Sequence, residues 1–146
     1  MKYIALLTIL TIFNSYSQKD KKSSTPVTQN IVEKETDVIN NLIQESLDLN
    51  DLQWFFIDEN QLYVLNKTEL DLDNDLNKFD KPIIIKDSVQ IVSERIIHYL
   101  IIENVKIEST LGEVHLYYPS QGAGAIIGFK RINNKWIVDK QSIWEN

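Results

Sequence analysis

Ala125-Ile126-Ile127-Gly128-Phe129-Lys130-Arg131-Ile132-Asn133-Asn134-Lys135-Trp136-Ile137-Val138 decides the fold. Two runs rich in β-branched and aromatic residues flank Asn133-Asn134, and asparagine tolerates the positive φ of a tight hairpin turn. The stretch predicts antiparallel strands from Ala125 to Ile132 and from Lys135 to Ile143. Gly128, inside the first of them, marks a bulge or bend that curves the sheet. Working back along the chain, Pro119 to Gly124 reads as a loop and Glu113 to Tyr118 as a strand that follows a turn at Leu111-Gly112. Ile96 to Glu108 reads as a longer strand, bulged near Glu103-Asn104. Turns this short join neighbouring antiparallel strands, so the C-terminal half is expected to be a β-meander.

The N-terminal half is more mixed. Ile31, Val38, Leu42, Ile43, Leu47 and Leu49 recur at three- and four-residue spacings, which predicts an amphipathic helix from about Val32 to Leu49. Trp54-Phe55-Phe56-Ile57, beside Asp58-Glu59-Asn60, reads as a short buried strand or a helix-to-sheet plug, and Leu62 to Leu65 as a strand that would pair with it. Asn66 to Lys81 is acidic and irregular, anchored by Leu70, Leu72, Leu76 and Phe79 in a short helix. Pro82 to Ile85 is a short strand, and Val89 to Arg95 fits either a helix or a strand. The expected class is α+β: an N-terminal amphipathic helix packed on a curved antiparallel sheet.

The closing hairpin from Gly128 to Val138, with Val114-His115-Leu116-Tyr117-Tyr118 before it, resembles the NTF2-like, or cystatin-like, α+β folds. There too a basic residue, a short polar turn and a Lys-Trp-aliphatic strand close a curved sheet. The resemblance covers about residues 31 to 144 by element order. It implies a helix-covered sheet with a cavity beneath the helix. No position here matches the acid or base residues of that family's enzymes, and a fold shared by enzymes and binding modules does not decide function.

Met1 to Ser17 has the order of a secretory signal: Lys2, an apolar run from Tyr3 to Phe13, then Ser15-Tyr16-Ser17. Cleavage is expected between Ser17 and Gln18, giving an exported protein, periplasmic or secreted, with no stable membrane span afterwards. Residues 18–30, polar and with Pro26, read as a flexible linker, and residues 31–146 as one α+β domain. Loss of Lys2 takes the formal charge from −6 to −7, a field that disfavours nucleic acid. With no cysteine there is no disulfide, thiolate metal site or cysteine nucleophile, so the core alone must hold the domain.

Candidate sites are few. Asp71, Asp73 and Asp75 match the opening of a calcium loop, but Leu76 stands where the turn glycine belongs and Pro82 where the closing glutamate belongs. A solvated acidic loop is the plainer alternative, and no metal or cofactor is expected. His98 and His115 are the two histidines. With Glu113 and Tyr117, which share a strand face with His115, they are candidates for acid–base work or a metal; the alternative sets His115 at the solvent side of a strand whose core face is Val114, Leu116 and Tyr118. Trp54, Tyr99, Tyr118 and Trp136, with Tyr117 and Trp144, could line a concave aromatic pocket or form core. Gln121 to Ala125 is glycine-rich but opens a strand, which favours a hairpin loop over a phosphate cradle. Asp87-Ser88-Val89 resembles a bacterial O-glycosylation triplet, and Asn66-Lys67-Thr68 fits the N-glycosylation pattern. The expectation is a non-enzymatic binding or accessory domain for a small ligand or protein partner. The alternative is an NTF2-like isomerase, dehydratase or hydrolase, which needs His98 or His115 to converge with Glu113 or Asp87 in one cavity.

Overall fold

The computed structural model describes residues 27–56, 60–72 and 75–145, with side chains from residue 35 onward. The expected leader, its Ser17–Gln18 cleavage site and most of the linker lie outside the described residues. The class is α+β. Among the described residues, eight strands form a six-stranded sheet in the order β4-β1-β5-β6-β7-β8 and a two-stranded ribbon, β2-β3. The strands are β1 (Tyr63–Asn66), β2 (Asn77–Lys78), β3 (Lys81–Pro82), β4 (Ile84–Lys86), β5 (Leu100–Glu108), β6 (Leu111–Tyr118), β7 (Ala123–Ile132) and β8 (Lys135–Glu145). Helix α1 spans Val27–Leu47 and α2 spans Ser88–Ser93.

The meander β5-β6-β7-β8 is antiparallel throughout. Asn133 and Asn134 turn its last hairpin with φ of 49° and 61°. The register slips once in β5, between Ile102 and Asn104, and once opposite Gly128, where β8 carries Asp139 as an extra residue. Both bulges fall where the sequence places them. The turn before β6 does not: Leu111 already pairs with Glu108, so Ser109-Thr110 makes the turn.

The other half of the sheet corrects the all-antiparallel expectation, because β1 runs parallel to both β4 and β5. Parallel neighbours need a crossover, and α2 supplies it, carrying the chain from β4 over β1 to β5. Asp87 caps α2: its carboxylate accepts the Gln90 N–H at 2.7 Å while the Gln90 side chain accepts the Asp87 N–H at 3.0 Å. This capping box settles the Val89 to Arg95 ambiguity in favour of helix. It also gives Asp87 a structural role.

No hairpin joins Trp54 to Leu65. A 3-10 helix (Asn50–Phe56) follows α1 and buries Leu52, Phe55 and Phe56. Those three lie three and four residues apart, a helical spacing that a strand cannot place on one side. The short helix expected near Leu76 is instead the β2-β3 ribbon, turned by Phe79 and Asp80 at positive φ. The helical stretch also begins at Val27, ahead of the expected linker boundary at residue 30.

One face of the sheet packs the core. Val114, Leu116 and Tyr118 of β6, and Ala123, Ala125, Ile127 and Phe129 of β7, are buried against Ile39, Leu42, Ile43 and Leu47 of α1 and against the 3-10 helix. Gly112 allows the close approach: a Cβ there would stand 2.8 Å from Leu42 Cδ1. Ile91 of α2 and Ile101 of β5 are buried without joining that cluster, which sets α2 on the opposite face.

Lys78 closes the end of α1. It is 6% exposed, and its Nζ donates to the Leu47 carbonyl at 2.7 Å and to Gln53 Oε1 at 2.6 Å. Gln53 Nε2 donates to the Leu47 and Leu49 carbonyls. Gln44 grips Asn77 through both backbone groups, accepting its N–H and donating to its carbonyl. The Leu47 carbonyl, the last of α1, is thereby satisfied by side chains, the carbonyls of Gln44 and Ser46 accept the Asp48 and Leu49 N–H groups, and a cation sits at the negative end of the helix dipole. Burial pushes the Lys78 ammonium below its ordinary pKa, and Asp48, 3.9 Å away, partly offsets this. Its charge also faces the Phe56 ring, 5.0 Å from the centroid.

Lys78→Ala removes the buried stem and leaves Gln53 Oε1 unsatisfied, so a loss of about 2–4 kcal/mol is expected in urea unfolding. Lys78→Met keeps the stem and is expected to lose about half as much.

Candidate functional site

The face opposite α1 is built from what strand alternation and the two bulges leave on that side. Cross-strand pairing sets three rows across β5, β6, β7 and β8: Ile101-Tyr117-Gly124-Trp144, Asn104-His115-Ile126-Ser142 and Lys106-Glu113-Gly128-Lys140. Partners in an antiparallel ladder share a face. The bulge at Glu103 is what turns Lys106 and Glu108 to this side; an unbroken strand would send them into the core.

Strand β7 offers little side chain here. The indole of Trp144 lies across Gly124, so close that a Cβ would overlap it, and the stem of Lys140 lies across Gly128, 2.8 Å from where a Cβ would stand. Beside them opens a groove of about 440 Å³ lined by Lys106, Glu108, Glu113, Asp139 and Lys140, over a floor that includes Gly112 and Gly128. Its walls carry both signs of charge.

Glu113 is its most strongly held acid. His115 Nε2 and Glu113 Oε1 are 2.6 Å apart; the carboxylate can only accept, so Nε2 carries the proton. This hydrogen bond holds the Glu113 carboxyl below the usual carboxylate range. Partial burial opposes it, and the charges of Lys106 and Lys140 reinforce it. The pair is about one-third exposed, so solvent screens it.

Glu113, His115 and Tyr117 therefore share one face of β6. His98 does not join them. It lies before β5, outside the ladder that pairs His115 with Asn104. Tyr99 is half-buried beside it.

The four pocket aromatics are dispersed. Tyr118 is buried in the core, edge-on to Phe56 at 6.0 Å. Trp54 is 43% exposed on the 3-10 helix. Trp136 lies at the far end of the sheet, beneath the Arg131 guanidinium. Tyr118 pairs with Ala123 and Trp136 with Arg131, positions about 26 Å apart along β7. The space between the 3-10 helix and the sheet, at Phe55, Leu116 and Tyr118, is about 10 Å³, at the limit for one water molecule.

Asp71 and Asp75 are exposed, and Asp73 lies outside the described residues. Among the described residues no three His, Asp or Glu side chains group as a metal site. Asn66 of the glycosylation pattern donates its Nδ2 to the Leu70 carbonyl at 2.8 Å and accepts from Thr68. Both amide ends are thus spent on an Asx turn. The groove itself escaped sequence reasoning. Its signal was present in the two glycines spaced by four in β7, which share one strand face and let Trp144 and Lys140 lie across it.

No family model, no curated protein and no solved structure matches this chain.

Gly124→Ala must displace the Trp144 indole, so a red-shifted tryptophan emission and a loss of about 1 kcal/mol are expected. Glu113 has a lowered folded pKa. Its stabilisation is therefore full above the unfolded carboxylate pKa and is lost as pH falls through the folded one. Glu113→Gln should cost a few tenths of a kcal/mol near neutral pH, and its unfolding curve should merge with that of the unsubstituted protein in acid.

Proposed function

We propose that the chain is an exported, non-enzymatic binding domain whose ligand seats in the groove over Gly128. The row Lys106-Glu113-Gly128-Lys140 carries this reading: a carboxylate set between two lysines, with a strand position lacking a side chain beside it. A ligand with both an anionic and a cationic group, of amino-acid or short-peptide chemistry, meets opposite charges there. The signal-like order of Met1 to Ser17 supports export. The resemblance to NTF2-like folds enters the proposal as element order alone.

The enzyme alternative rests on the Glu113–His115 pair, an oriented imidazole at the groove's edge. It is the weaker reading, since no hydroxyl or thiol lines the groove and neither does His98.

Calorimetric titration with free amino acids and di- and tripeptides tests the binding reading. Binding with a Kd between about 10 µM and 1 mM is expected, weakened about tenfold by Lys106→Ala, Lys140→Ala or Glu113→Gln. No heat at millimolar ligand, or affinity that none of the three changes alters, would contradict it.

A further inference from the structure

We propose that β8 pairs with β8 of a second copy, antiparallel, about a two-fold axis between Asp139 and Lys140, joining two six-stranded sheets into one. This interface goes beyond the ligand reading, and its test involves no ligand.

Strand β8 is the long free edge of the sheet. None of its residues is buried, and Ile137, Val138 and Trp144 are well exposed apolar side chains along it. An edge of this length offers a row of unpaired backbone groups, a template for another strand. The opposite edge, β4, has only three residues.

The bulge selects the register. Residues symmetric about a two-fold axis must share a face, because paired residues in an antiparallel ladder point the same way. In an unbroken strand that condition forces one residue to sit opposite its own copy. Here Asp139 is the extra residue, and alternation restarts after it. Trp136 and Val138 face the core side. So does Gln141, whose side chain bonds Asp51 of the 3-10 helix, and so does Ile143, packed against the core. Lys135, Ile137, Lys140, Ser142 and Trp144 face the other side, and Asp139 lines the groove there with Lys140. With the axis between Asp139 and Lys140, every pair matches in face. Trp136 meets Ile143 of the second copy, Val138 meets Gln141, Ile137 meets Ser142 and Lys135 meets Trp144.

The central pairs are complementary in charge. Asp139 meets Lys140 of the second copy, and symmetry repeats the contact. Lys135 against Trp144 adds a cation facing an indole at each end. Shifting by one residue would set Asp139 on Asp139 or Lys140 on Lys140, and would oppose core-side to groove-side residues. A lysine and a bulge on a free edge ordinarily discourage pairing; here the same two features bring the symmetric residues into register. The grooves of the two copies, each reaching Asp139 and Lys140, would then adjoin across the axis.

Sedimentation velocity on the full chain tests this, run at about 1 µM and about 100 µM, the range in which a one-strand interface of modest area associates. A closed dimer is expected at the higher concentration. Asp139→Lys and Lys140→Asp each place like charges at the axis and should weaken association about tenfold or more. The double reversal Asp139→Lys/Lys140→Asp restores opposite charges and should restore the dimer. Far-ultraviolet circular dichroism and thermal unfolding of the single variants check that each remains folded; both positions are solvent-exposed. A monomer at the higher concentration, open-ended assembly, a dimer indifferent to both single reversals, or a double reversal that stays monomeric would overturn the proposal.

Discussion

An antiparallel ladder alternates its side chains strictly between two faces, and β5 and β8 each break that alternation once. Most else in this sheet depends on those two breaks. Before the β5 bulge, Leu100 and Ile102 point to the core; after it, Val105 and Ile107 take that side and Lys106 and Glu108 turn away from it. Before the β8 bulge, Trp136 and Val138 face the core; after it, Gln141 and Ile143 do. Without its insertion β5 would turn Lys106 and Glu108 into the core and Val105 and Ile107 away from it, and β8 would turn Lys140 to the core side and Ile143 away. Burying an unpaired charge costs far more than the local loss of a ladder hydrogen bond, which is why the pattern of apolar residues fixes where the register slips.

The two faces consequently differ in kind. The helix-covered face is filled: α1, the 3-10 helix and the inward residues of β6 and β7 close on one another, helped by Gly112, and the gap left at Phe55 and Tyr118 is about 10 Å³. The opposite face is covered by α2 only at the β4-β1-β5 end. Toward β8 it presents a hydrogen-bonded Glu113–His115 pair and lysines on both sides of that acid, one of them laid across Gly128. Affinity for a polar ligand grows where partners are already positioned, and these groups sit on strands, which hold position better than loops.

Local patterns were legible in the sequence and distant partnerships were not. Asn133-Asn134 announced its turn because few residues accept positive φ, and Gly128 announced a bulge because a glycine in mid-strand needs a reason. The core face of Val114, Leu116 and Tyr118 followed from period two. By contrast, nothing local in Tyr63–Asn66 or Ile84–Lys86 says that these short strands run parallel; that depends on a crossover completed dozens of residues later. Lys78 reads as a surface lysine, and only the Leu47 carbonyl and Gln53, both brought from the end of α1, make its burial tolerable. The aromatic run at Trp54 left a strand and a helix-to-sheet plug both open, since β-propensity reports fit to a half-buried surface, and its residues form the plug. Among the site residues, Glu113, His115 and Tyr117 were grouped correctly by alternation. Lys106 and Lys140 were not, because each reaches the groove only through a bulge.

The most direct measurement is the map of backbone amide shifts in a ¹H–¹⁵N correlation spectrum as an amino-acid or dipeptide ligand is added. A binding face opposite the helix predicts perturbations centred on Lys106, Glu113, Gly128 and Lys140, with Leu116, Tyr118 and Ala125 unmoved. Shifts concentrated instead at the core-facing residues beneath the 3-10 helix would contradict it, placing the ligand on the face that packing closes.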